Sequence, residues 1–199
     1  MKISEARQLY STQIKAYHEQ QVILSKQKKV LEEKMNSVSD GKNLFAEEAA
    51  ILELTLDAVI EKKNEYQDYM SDLNQQWSAI SQMVSSKQQQ DASKEYVEDL
   101  GKIMEVARRL MKGDIVPPND EKKLMEYSME MYQAAKNIGA LAKEKEREEH
   151  ESLWDEKEEK KVYDDPMEVA DNVQAIGGAP QIVDVADTMA SAGVTLDKK

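Results

Sequence analysis

The sequence predicts an all-α protein: an elongated antiparallel helical hairpin, or coiled-coil-like bundle, with a flexible acidic C-terminal tail. Three observations carry this. Phe45, Ala49, Leu52, Leu56, Val59, Lys63, Tyr66, Met70, Leu73, Trp77, Ile80 and Val84 recur at alternating steps of four and three, forming an apolar seam that another helix must cover. Apolar residues make up 40%, charged residues 33% and aromatics 6%, a composition that suits rods better than a filled globular interior. Turn-forming residues separate the periodic stretches, at Asp40-Gly41, at Gly113 with Pro117-Pro118, and at Asp165-Pro166.

The first helix keeps the same rhythm at Ile3, Tyr10, Tyr17, Leu24, Leu31 and Val38, with a half-polar second column at Arg7, Ile14, Gln21, Lys28 and Met35. Ser37 to Lys42 ends it, and Asn43 is expected to cap the next helix. Folding back at Gly41 sets Tyr17 level with Tyr66, Leu24 with Val59 and Leu31 with Leu52. Gln21 then meets Lys63, the charged residue of the second seam, and the pair is expected to form a polar layer that sets register. Arg7 comes level with Trp77, within reach of a cation–π contact.

Gln88-Gln89-Gln90-Asp91 interrupts the seam. A third helix is expected to follow, with Tyr96, Leu100, Ile103, Ala107 and Leu110 in one buried column and Val97, Met104 and Met111 in another. Gly113 supplies a left-handed cap and Pro117-Pro118 forbids continuation. Asn119 or Asp120 should cap a fourth helix, apolar along Leu124, Met125, Tyr127, Met131, Tyr132, Ala134, Ala135, Ile138 and Leu141. The run from Lys143 to Lys161 is charged except at Leu153 and Trp154, and reads as a solvated, projecting helix.

The tail holds an internal repeat: Glu168 to Gly177 aligns with Asp184 to Gly193, each copy an acidic residue, Val-Ala-Asp, an apolar segment and a closing glycine. Segments this short are ordered only when docked. Val169, Ala170, Asp171, Val173 and Ile176 in the first copy, and Val185, Ala186, Asp187 and Met189 in the second, are the expected partner-binding residues, with folding back onto the bundle as the alternative. The expected organisation is a hairpin over 1–90, a helical pair over 91–162 and the tail over 163–199.

Chemistry is poorly represented. No cysteine is present, which removes thiol nucleophiles, disulfides and sulfur metal ligands. His18 and His150 lack the spacing of zinc or di-iron helix motifs and read as solvated surface residues. The glycines form no phosphate-cradling loop, so neither a metal nor a nucleotide cofactor is expected. A net charge of −12 argues against nucleic acid and anionic membranes. No stretch reaches the roughly 20 apolar residues of a membrane span, and no signal-peptide core follows Met1-Lys2, so the expected location is cytoplasmic, a test blind to leaderless export. Trp77-Ser78-Ala79 departs from the Trp-x-Gly pattern of small secreted helical hairpins.

The function expected from these features is non-catalytic: an adaptor or scaffold that holds protein partners on its helical rod and docks through its tail. A chaperone-like or temporary scaffolding protein for secretion or particle assembly is the alternative, and self-association is expected from the half-polar seams.

Overall fold

A computed structural model describes residues 1–141, 147–154 and 161–194. The described residues form helices α1 (Ile3–Ser37), α2 (Gly41–Leu44), α3 (Ala46–Lys112), α4 (Pro118–Tyr127), α5 (Met129–Leu141), α6 (Pro166–Asn172) and α7 (Val185–Val194), with no strand beyond isolated bridges. The fold is all-α. The chain divides into two compact units, Met1–Val84 with Asp165–Lys199, and Ser85–Asp164.

In the first unit α1 and the early part of α3 form the antiparallel pair that their seams require. Tyr10, Tyr17, Leu24, Leu56, Val59, Tyr66, Tyr69 and Leu73 are buried together, and Leu52 packs against them. Tyr17 meets Tyr66 edge-on at 5.5 Å between ring centroids, as the fold-back at Gly41 predicts. Lys63 Nζ donates to Gln21 Oε1 at 2.6 Å, so the two expected polar residues do meet. The Arg7 guanidinium lies 5.2 Å from the Trp77 ring centroid. The turn is more elaborate than expected. Asp40 takes a left-handed conformation (φ 67°) and precedes α2, a single turn. Asn43 therefore does not cap α3: it lies within α2 and its side-chain amide bonds to Asp40.

The tail is where expectation and structure part. Residues 163–199 were predicted as a flexible extension, yet the described part from Asp165 onward packs on the hairpin. Ala170 is buried, and Ala175, Val185 and Met189 lie against the α1–α3 core. The reason is that the two-helix seam leaves an apolar trough uncovered, and α6, an extended segment and α7 fill it.

In the second unit the helix is not broken at Gln88–Asp91: α3 runs unbroken to Lys112. Glutamine is a good helix former, so a polar run moves the buried face without ending the helix. The buried column is Ile103, Val106, Ala107 and Leu110, whereas Tyr96, Val97, Met104 and Met111 are exposed, contrary to expectation. Gly113 ends α3 as predicted, at φ 87°. The Gly113 amide bonds to the Leu110 carbonyl and the Asp114 amide to the Arg109 carbonyl, the paired bonds of a Schellman cap.

Pro117, rather than Asn119 or Asp120, precedes the first turn of α4. The expected fourth helix is split at Ser128, whose hydroxyl accepts from the Met131 amide and starts α5. Asp120 is fully buried and accepts from Ser152 Oγ at 2.5 Å and from the Leu153 amide at 3.0 Å. Those bonds anchor 147–154, which is irregular rather than a projecting helix; the rest of the charged run, at 142–146 and 155–160, lies outside the described residues. Trp154 is buried against the α3 column and donates from Nε1 to Asp99 at 2.9 Å.

Candidate functional site

The most developed site is the trough of the first unit, in which the hairpin reads the main chain of the tail. Tyr10 and Tyr17 stand one heptad apart on α1, and Tyr66 and Tyr69 project from the facing turns of α3. Their rings pack edge to face, Tyr10 at 5.5 Å from Tyr66 and 4.7 Å from Tyr69, each contact contributing about 0.5 to 1.5 kcal/mol beyond burial. This packing turns three hydroxyls toward the segment between α6 and α7. Tyr10 donates to the Pro180 carbonyl at 2.5 Å. Tyr66 donates to the Gln181 carbonyl and accepts from the Val183 amide, both at 3.0 Å. Tyr17 lies 3.1 Å from the Val183 carbonyl and 2.6 Å from Thr188 Oγ1. Burial pushes the Tyr10 and Tyr17 hydroxyls above the usual phenol range; in Tyr17 the Thr188 hydrogen bond acts the other way.

Upstream, Gln76 does the same with an amide: it donates to the Ile176 carbonyl at 2.6 Å and accepts from the Ile176 amide at 2.9 Å. Lys2 and Gln174 form an antiparallel bridge in which the Ile3 amide, one of the orphan donors at the start of α1, bonds to the Val173 carbonyl. Tail side chains are held as well: Lys2 Nζ donates to Asn172 Oδ1 at 2.8 Å, and the hairpin makes two contacts to Asp171. Asp171 accepts from Trp77 Nε1 at 2.8 Å and pairs with Arg7 at 3.8 Å, beneath the Arg7–Trp77 stack.

Of the nine tail residues expected to contact a partner, Ala170, Asp171 and Val173 face or bond to the hairpin, Val185 and Met189 pack against its core, and Val169 is half-buried. Ile176, Ala186 and Asp187 are exposed. The two repeat copies are not structurally equivalent. Asp165 caps α6 through the Met167 amide and Asp184 caps α7 through the Ala186 amide, which places the helices three residues out of step with the sequence alignment. The tyrosine row was legible as buried columns; the use of its hydroxyls was not, because a main-chain partner leaves no side-chain signature.

One further group can be set beside the trough. Asp114, Glu148 and His150 bring ligand atoms within 4.8 Å of one another, the one such group among the described residues. His150 is thus not the solvated residue expected: its Nε2 lies 3.1 Å from Asp114 Oδ2, and that hydrogen bond holds the Asp114 carboxyl below its usual range. The pair closes a main-chain bridge in which the Ile115 amide bonds to the Glu148 carbonyl and the His150 amide to the Ile115 carbonyl, a structural role that accounts for it.

Among the described residues no helix is long and apolar enough to cross a membrane. No family model, no curated protein and no solved structure matches this chain. What the fold and its geometry give is an all-α hairpin whose trough holds the chain's own tail.

Proposed function

We propose that the protein is a non-catalytic interaction or assembly protein whose hairpin is a docking platform for segments built as short helix, extended strap and short helix, with its own tail as the resident occupant. The observation that carries this reading is the set of contacts that Tyr10, Tyr17, Tyr66 and Gln76 make to tail main chain. A site that reads backbone accepts many sequences, as in other extended-peptide recognition, and leaves selectivity to a few positions such as the one Asp171 fills. The tail then regulates access: a competing segment gains the trough only where the tail leaves it.

The test keeps the chain intact and loosens the tail. Ala170→Arg puts a long cation where no side-chain space exists. Partner capture by the A170R chain should exceed capture by the parent, with α1 and α3 still helical by circular dichroism. Equal or lower capture by a helical variant contradicts the reading. The rival reading, a chaperone-like or temporary scaffolding protein, draws on the exposed methionines Met83, Met104 and Met129, soft surface suited to varied clients. It predicts suppression of client aggregation by the parent chain.

A further inference from the structure

The apolar channel between α1 and α3 does not stop where α7 covers it. Past Met189 it continues toward the α1–α2 turn as a cavity of about 810 Å³ floored by Leu24, Leu31 and Leu52. Its lips are Val30 and Leu44, 51% and 68% exposed, too apolar and too open for a finished surface. The charges around it are sorted by helix. Lys26 and Lys34 stand on the α1 side, Glu47 and Glu48 on the α3 side. Among the described residues none of these four side chains has an ion pair or hydrogen bond within the chain. The Lys28–Glu53 and Gln21–Lys63 contacts fix the levels along the hairpin and set Lys34 beside the first turn of α3, where Glu47 and Glu48 lie.

We propose that this cavity is the contact surface between two copies of the chain, packed hairpin on hairpin about a two-fold axis parallel to the helices. That axis lays α1 of one copy over α3 of the other at the same level. Lys34 of each copy then faces Glu47 and Glu48 of its partner, and the symmetry makes every such contact twice. The partner hairpin covers the Val30 and Leu44 lips, and the two hairpins become a four-helix arrangement with a shared apolar centre. A two-fold axis running across the helices would instead set α1 on α1 and oppose lysine to lysine, so the charge sorting selects between the two geometries. The surface is continuous with the channel that already holds α7, yet lies beyond the tyrosine row, so this proposal does not depend on the reading of the tail as a displaceable occupant.

Light scattering on the intact chain tests it. A chain of 22.7 kDa should run as a species of about 45 kDa. K34E and E47K/E48K are charge reversals at exposed positions, and each alone places like charges face to face. Each variant should self-associate at least about tenfold more weakly than the parent. An equimolar mixture should recover the dimer, because both faces of the mixed pair are complementary. Val30→Asp should dissociate the dimer without loss of helical circular dichroism. A parent that stays monomeric overturns the proposal, as do charge-reversed variants that dimerise like the parent, or a mixture of two folded variants that fails to reassociate. A monomeric parent that dimerises once residues 195–199 are removed would assign the cavity to the chain's own end, and equally overturns it.

Discussion

The Tyr66 hydroxyl is used twice, as donor to Gln181 and as acceptor from Val183, whereas Tyr69 contributes its ring to the same cluster and no hydroxyl bond among the described residues. Tyr66→Phe should therefore cost about 1 to 3 kcal/mol in urea unfolding, since the half-buried Val183 amide loses its acceptor, while Tyr69→Phe should stay within about 0.5 kcal/mol of the parent. Tyr10 and Tyr17 are held above the usual phenol value of 10.0 by burial, so the folded state favours the neutral form. Their contribution is complete below pH 10.0 and is lost as pH rises through the raised values, so the tail should loosen in alkali, with Trp77 fluorescence reporting the loss of Asp171.

The acid side belongs to the second unit. Hydrogen bonds from Arg108 and then Arg109 hold Glu105 at about 2, below its ordinary 4.5. A depressed carboxylate stabilises above the ordinary value and ceases to do so as pH falls through the folded one. The stability of the second unit should therefore decline from about pH 4.5 toward about 2, and Glu105→Gln should flatten that slope in thermal melts.

At the scale of elements, α3 contains a glycine with nothing packed near it and faces another that has no room. A Cβ on Gly101 would meet nothing within 4 Å, so Gly101→Ala should stabilise by about 0.5 to 1 kcal/mol through backbone entropy and helix propensity. A Cβ on Gly139 of α5 would overlap the Leu110 carbonyl, so Gly139→Ala should destabilise and lower the melting temperature. The opposite signs test whether α5 sits on α3 as closely as described.

Legibility also differs by element. The pairing of α1 with α3 was readable because both helices carry a seam and a single turn joins them, which leaves the register little freedom. The later part of α3 carries two competing stripes, Val97, Met104 and Met111 against Ile103, Val106, Ala107 and Leu110, and Tyr96, in line with the second stripe, is exposed. Periodicity alone does not rank them. The buried stripe is the one that Trp154 and Leu124 cover, and both arrive from outside the helix. The split at Ser128 was hidden for a similar reason, since apolar spacing continues on both sides of it.

At the scale of the whole molecule, the first unit is discontinuous: the chain leaves it at Val84 and re-enters at Asp165. Sequence reading favours neighbours, so a tail separated from its site by the entire second unit read as free. Its composition did announce docking, because helices as short as α6 and α7 do not persist alone. What composition did not announce was the address, which is written in hydroxyls and one glutamine amide that bond to main chain. Docking of the tail in the trough is the claim on which the functional reading rests.

Amide hydrogen exchange at Val183, Ile176 and Ala175 in the intact chain tests that claim most directly, since their amides bond to Tyr66, Gln76 and the Met1 carbonyl respectively. Docking predicts protection of at least about a hundredfold over the unstructured chain at all three, falling at Val183 in the Tyr66→Phe variant. Exchange at unprotected rates across these amides, while α1 and the early part of α3 remain protected, would contradict it.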